Sequence, residues 1–588
     1  MSSSLPVQDS FAPVLPLAEV QKKGLVSANV GNRVVALVWH QDQIYAVDNR
    51  CPHMGFPMDR GSLRNGILTC HWHHARFDLQ TGGTFDLWAD DVPAFPVEIR
   101  DDTVWVDVET LGDLETQAKE RLQAGLERNL SLVIGKSAIF LEERGCTREL
   151  IETGLRFGCQ YRQAGWGQGL TILGCMVNLL PNLDRGDRPR ALFHGLAAVA
   201  AETAAAPYRY TVKPLPDEAQ DLPLLRSWFR QFIEVRDAEG AERCLISAIR
   251  AGADGPFLMD MLGSAATDRR YIDVGHPMDF TNKAFQILDH TGWTDTELVL
   301  TSLVRTMAMA RRMEESNAWR SPIDLIELLN AAFPQLEEAL VHGAARRDDW
   351  EGDPELVETL LSAEPQELID RMLEVLRDGM PPVELALHVC YAAAMRIARF
   401  HTSNEISDWD TALHTFTFAN AVLQAYQRAP VTTLLRGVFD AAMSVYLDRF
   451  LNIPAARIPV GDKSRHMTDQ ALTQLGELLN RQYQVTPAAE LVAGFAAQAA
   501  DPRTLRARLG QYLLREDRDF HTIQCIEAAF ALNDELRAGR GAWPWLQPDV
   551  PLIAAARYLA AHAPTMRAQG QTYDIALRLH RGEKMFEG

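Results

Sequence analysis

At 588 residues the chain is too long for one ordinary core, so two or more domains are expected. Hydrophobic residues make up 47% and charged residues 23%, an ordinary water-compatible composition, and a formal net charge of −20 would repel nucleic acid and anionic membranes alike. No stretch approaches roughly 18 uninterrupted apolar residues, and "MSSSLPVQDSFAPVLPLAEV" has no basic segment followed by an apolar run, so neither a membrane span nor a secretory leader is expected and the chain reads as cytoplasmic.

Taken in chain order, "VVALVWH", "IYAVDNR", "GILTC", "FPVEIR" and "TVWVDVE" are short β-branched and aromatic runs punctuated by Gly, Asn and Asp. They predict a small all-β domain over residues 1–109. Residues 110–140 read as a linker. From 141 to 588, Ala/Leu/Arg/Glu segments at helical spacing, such as "DLIELLNAAFPQLEEAL" and "ELIDRMLEVLRDG", predict a large all-α domain. A loose pattern recurs within it, each copy ending in a helix expected to open with a histidine: His194, His276, His414 and His521. The second and third share His-x3-Phe-x-Asn, at His276/Phe280/Asn282 and His414/Phe418/Asn420. Four degenerate helical repeats would leave this trace, and so would chance self-similarity in an Ala/Leu-rich helical chain.

The chemistry-bearing stretch is "NRCPHMGFPMDRGSLRNGILTCHWHHARFDLQTG", Asn49 to Gly82. Its spacing, Cys51-x-His53 and Cys70-x2-His73, resembles the Rieske [2Fe–2S] motif, in which two thiolates hold one iron and two imidazoles the other. A Cys2His2 zinc site is the competing reading, but zinc fingers pair Cys with Cys and His with His, whereas each loop here mixes the two. The resemblance covers residues 10 to 109 and implies a [2Fe–2S] cluster on Cys51, His53, Cys70 and His73. The cysteines that brace the loops in respiratory members are replaced by Phe56 and Trp72, and His74-Ala75 lacks the usual hydroxyl. Both departures imply a ferredoxin-type carrier near the low end of the family range, about −150 mV. His71 and His74 remain as loop-surface residues or as contacts to an electron acceptor.

What the electrons serve must lie in the helical region. Rieske oxygenases carry His-x4-His and a later Asp in an antiparallel-sheet domain; this chain has neither that spacing nor that texture. Helical bundles instead build redox centres from inward-pointing His and carboxylates. If the four repeats close on one centre, His194, His276, His414 and His521 become candidate catalytic ligands. Glu202, Asp279, Glu405, Asp410 and Glu527 are then nearby acids for a second metal site, such as non-haem iron; a pair of the histidines would alternatively clamp a haem. The bland alternative for each histidine is a satisfied core residue. No Gly-x-Gly-x-x-Gly, Walker A, Gly-x-Ser-x-Gly or His-Glu-x-x-His motif occurs, so electrons are expected from a separate reductase or ferredoxin. The expected activity is oxygen-dependent oxidation, a monooxygenation, of a small-molecule substrate. The alternative is a Rieske relay or sensor fused to a helical partner-binding scaffold.

Overall fold

The computed structural model describes residues 10–109, 113–216, 221–461, 469–498, 502–539 and 543–583, except the side chains of residues 469 and 470. The chain divides into two compact units, one of residues 1–147 and 571–588, the other of residues 148–570.

The first unit is built on three small antiparallel sheets. Strands β1 (Phe11–Pro16), β2 (Leu25–Val30), β3 (Arg33–His40), β4 (Gln43–Asp48), β5 (Ser62–Arg64), β6 (Ile67–Thr69), β7 (Arg76–Asp78), β8 (Ala94–Phe95), β9 (Val97–Arg100) and β10 (Thr103–Asp107) pair in the orders β1-β10-β9, β2-β3-β4-β8 and β5-β6-β7. The unbroken apolar run of β3 follows from burial on both faces. Val35 and Leu37 point into one core with Val104 and Val106, while Ala36 points into a second core with Cys51, Met58, Leu68 and Cys70. Alternation along β4 does the same, with Ala46 in the first core and Val47 in the second. The two cysteine loops thus stand on the back of the central sheet.

Residues 110–140, expected as a linker, contain most of two helices, Leu114–Glu127 and Ser131–Glu143. Asp113 caps the first by accepting from the amides of Glu115 and Thr116. Leu122, Leu126, Val133 and Ile134 are buried, which fixes both helices as part of the first unit. The end of the chain also belongs there: His580 Nε2 lies 2.7 Å from Glu143.

The second unit is helical, and no described helix is long and apolar enough to cross a membrane. Of the four helices expected to open with histidine, two do. His276 begins His276–Thr291 and His521 is the second residue of Phe520–Ala538. His414 lies more than two turns into Ile406–Arg428, and His194 falls in the middle of Arg188–Thr203. The residues before these two, 406–413 and 188–193, are already helical, so no break places the histidine at its start.

Candidate metal centres

The two cysteine loops of the first unit share one backbone design. The Cys51 amide donates to the Phe56 carbonyl and the Cys70 amide to the Ala75 carbonyl, both at 2.8 Å and both five residues on. In each loop the fourth residue after the cysteine has positive φ, Gly55 at 78° and His74 at 63°. A glycine takes this conformation without cost, which is why His74 stands where glycine is the easier choice. Amides two and three residues beyond each cysteine, those of His53 and Met54 and those of Trp72 and His73, donate to Cys51 and Cys70 sulfur respectively.

The four motif side chains converge. The two buried thiols hydrogen-bond each other, and no disulfide links them. The hydrogen bond from Cys51, helped by the Trp72 and His73 amides, lowers the Cys70 thiol to about 6 against its burial, while Cys51 is raised. The His53 and His73 rings meet edge to face with centroids 4.8 Å apart, and Trp88 packs on His53 at 4.6 Å. Burial, then the charges of His73 and Lys136, lower His53 to about 4, so it is neutral at pH 7 as a ligand must be. His53 Nδ1 is buried with no hydrogen-bond partner among the described residues. An orphaned ring nitrogen beside two amide-supported sulfurs is what an iron–sulfur cluster would satisfy, so the residues fit the group.

A family model for the Rieske [2Fe–2S] domain matches residues 10–96. Through this domain the chain belongs to the Rieske family. It is 30% identical over 96 residues to human apoptosis-inducing factor 3, a match spanning 16% of each chain. It is also 30% identical over 94 residues to the ferredoxin component of the naphthalene 1,2-dioxygenase/salicylate 5-hydroxylase systems of a Ralstonia species, covering 16% of this chain and 90% of that one. Among solved structures it is similar to the ferredoxin of carbazole 1,9a-dioxygenase from Nocardioides aromaticivorans, with 25% identity, 16% of this chain and 95% of that chain covered, and a TM-score of 0.16. Such a domain transfers one electron at a time through its cluster. His71, Trp72, His73 and His74 are exposed, so the Rieske domain presents one imidazole of the motif to solvent while His53 is half-buried.

The second unit brings three of its four singled-out histidines together. One ligand atom each from His276, His414 and His521 lie within 4.8 Å of one another. His414 Nε2 and His521 Nε2 are 3.1 Å apart. Nitrogens sharing one ion at bonds of about 2.1 Å sit about 3.0–3.4 Å apart in octahedral or tetrahedral geometry, so this pair is already at ligand spacing. The His414 ring meets both others at 4.8 Å, nearly perpendicular. Burial and the neighbouring imidazoles lower His276 to about 4 and His414 to about 3, leaving both neutral and able to coordinate at pH 7.

Local structure holds these rings in place. His276 starts its helix directly after Tyr271, Asp273 and Val274, all with φ between 44° and 50°, and Gly275 at 90°. Left-handed backbone at a β-branched valine costs on the order of 1–3 kcal/mol and persists only where the surroundings impose it. A Cβ on Gly275 would also meet Phe418 Cβ at 2.7 Å. Phe280, one turn on, stacks on His276 at 5.2 Å. The paired motif asparagines are bridged by one glutamine: Asn282 donates to Gln424, and Gln424 donates to Asn420.

Around the rings lies a carboxylate shell. Asp410, one turn before His414, places one oxygen 3.9 Å from His521 Nδ1 and the other 3.6 Å from His562 Nε2, and accepts from the Tyr558 hydroxyl at 2.6 Å. Asp519, which caps the His521 helix through the Thr522 amide, lies 3.6 Å from the same Nδ1. A carboxylate on the far nitrogen of an imidazole fixes which nitrogen is free to bind metal. Although burial acts the other way, the nearby His562 ring and the bond from the Tyr558 hydroxyl hold Asp410 below the usual carboxylate range. A cavity of about 560 Å³ opens beside this shell, lined by Trp409, Tyr483, Asp519 and His562 among others.

His194 does not join the group. It is buried elsewhere, its Nε2 3.1 Å from the Leu514 carbonyl, as a satisfied core histidine. The acids also separate. Glu202 accepts from the Gln168 and Gly169 amides, Glu405 caps its helix, and Glu527 pairs with buried Lys283 at 2.7 Å. Asp279 accepts from Gln524, and burial pushes it up to about 6. Sequence reasoning missed His562 and Tyr558, which come from another helix end and carry no motif linking them to Asp410.

Proposed function

We propose that the protein is an oxidoreductase in which the Rieske cluster passes single electrons to a metal ion held by His276, His414 and His521. The reading rests on one observation: three half-buried histidines from distant stretches of chain converge, with carboxylates behind them. An electron carrier needs something to reduce, and three imidazoles suit a redox-active ion such as iron. A haem fits less well. Opposed axial nitrogens are separated by about twice a metal–nitrogen bond of roughly 2 Å, whereas His414 and His521 stand at 3.1 Å with Phe280 and Phe520 beside the cluster.

The reaction class is oxygen-dependent oxidation of a small organic molecule. A monooxygenation balances as one O2, two electrons and two protons converting a C–H bond to C–OH and releasing water. A cluster held by Cys51, His53, Cys70 and His73 would supply the electrons one at a time, drawn from a separate reductase or ferredoxin. Relatives named as ferredoxin components of dioxygenase systems support this assignment of the N-terminal domain. The cavity beside Asp519 and His562 provides the space for a substrate.

Rapid mixing tests the reading. The full chain, reduced anaerobically at its cluster, is mixed with O2 and reoxidation is followed optically. Rapid reoxidation in the parent and at least tenfold slower reoxidation in the His276→Ala/His414→Ala variant is the expected result. Equal rates would favour a relay without chemistry in the helical unit.

A further inference from the structure

We propose that the Lys136–Asp90 ion pair sets the reduction potential of the cluster, making the helix Ser131–Glu143, outside the Rieske match, a working part of the electron carrier. Lys136 Nζ donates both to the Asp90 carboxylate and to the carbonyl of Pro52, the residue between ligands Cys51 and His53. Both side chains are only 19% exposed, so water screens their charges weakly. Asp90 follows Trp88, whose ring packs on His53, by two residues.

The pair is held by the fold. Ile134, Ala138 and Ile139 of the same helix are fully buried. A second cation from the preceding helix, Arg121, binds the adjacent acid Asp91 at 2.6 Å, so the loop carrying both acids is clamped at two successive residues. Reducing the cluster adds one electron to it. The ammonium on the ligand loop stabilises that added charge and the carboxylate opposes it, so the intact pair holds the two effects against each other.

Each single neutralisation should therefore expose the other partner. In a spectroscopic redox titration of the full-length, cluster-loaded protein, Lys136→Met should shift the midpoint to lower potential, and Asp90→Asn to higher potential. The double variant should fall between them, and Lys136→Arg, which keeps the charge, should stay near the parent. Should Lys136→Met fail to retain its cluster, the upward shift in Asp90→Asn still decides. Midpoints unchanged in every variant, or shifts of the same sign in both single variants, would overturn the proposal, the latter because loosening the loop would act without regard to the sign of the charge removed.

Discussion

The two candidate centres are built in opposite ways. The cysteine loops draw four candidate ligands from 23 consecutive residues, Cys51 to His73, on two self-closed turns that share a backbone design. The histidine group draws three candidate ligands from helices whose contributions are more than a hundred residues apart, as with His414 and His521, separated by 107. The first shows one imidazole to solvent, as an electron carrier must; the second sits among buried aromatic rings. A local motif can be carried as a portable domain, whereas a centre assembled by tertiary packing exists only when the whole bundle folds.

The sharpest way to break this contrast is to remove each centre separately. Cys70→Ser takes away a buried thiolate ligand and should abolish the visible absorption and electron paramagnetic resonance of the cluster. The far-ultraviolet helical signal should be unchanged, since the helical unit has its own core; a variant that loses both would show that the two are not independent. His414→Ala, which removes the ring touching both partners, should lower affinity for the second metal by about a hundredfold or more, measured by metal titration, while the cluster spectrum persists. Asp410→Asn keeps all three ligands but weakens the carboxylate behind His521; it should cost about 10–100-fold in the same titration. The smallest effect belongs to His194→Gln. It should leave metal affinity unchanged and cost about 1–2 kcal/mol of stability in denaturant unfolding, through the bond to the Leu514 carbonyl.

This contrast also explains what could be read from the sequence. The convergence of Cys51, His53, Cys70 and His73 was legible because spacing within a turn is a local property, and the β character of the first unit was legible in short runs such as "VVALVWH". The pair His276 and His414 was legible through a shared His-x3-Phe-x-Asn, whose Phe280 stacks on His276 and whose asparagines are linked across the two helices through Gln424. His194 shares the apolar, helical context of the others but lacks that motif, and packing sends it to a carbonyl. The expected linker failed for a different reason. The Asp113 cap and the buried Leu122 and Leu126 mark a helix of the first unit, and a polar stripe such as "ETQAKER" conceals that affiliation until its apolar side finds a partner.

Counting metal per chain, in protein reconstituted anaerobically with iron and sulfide, decides whether a second metal centre accompanies the cluster. The parent should hold three irons, Cys70→Ser one, and His276→Ala/His414→Ala two, with the cluster spectrum intact in the last. Two irons in the parent, together with none in Cys70→Ser, would contradict the account and leave the three histidines as a packed polar core.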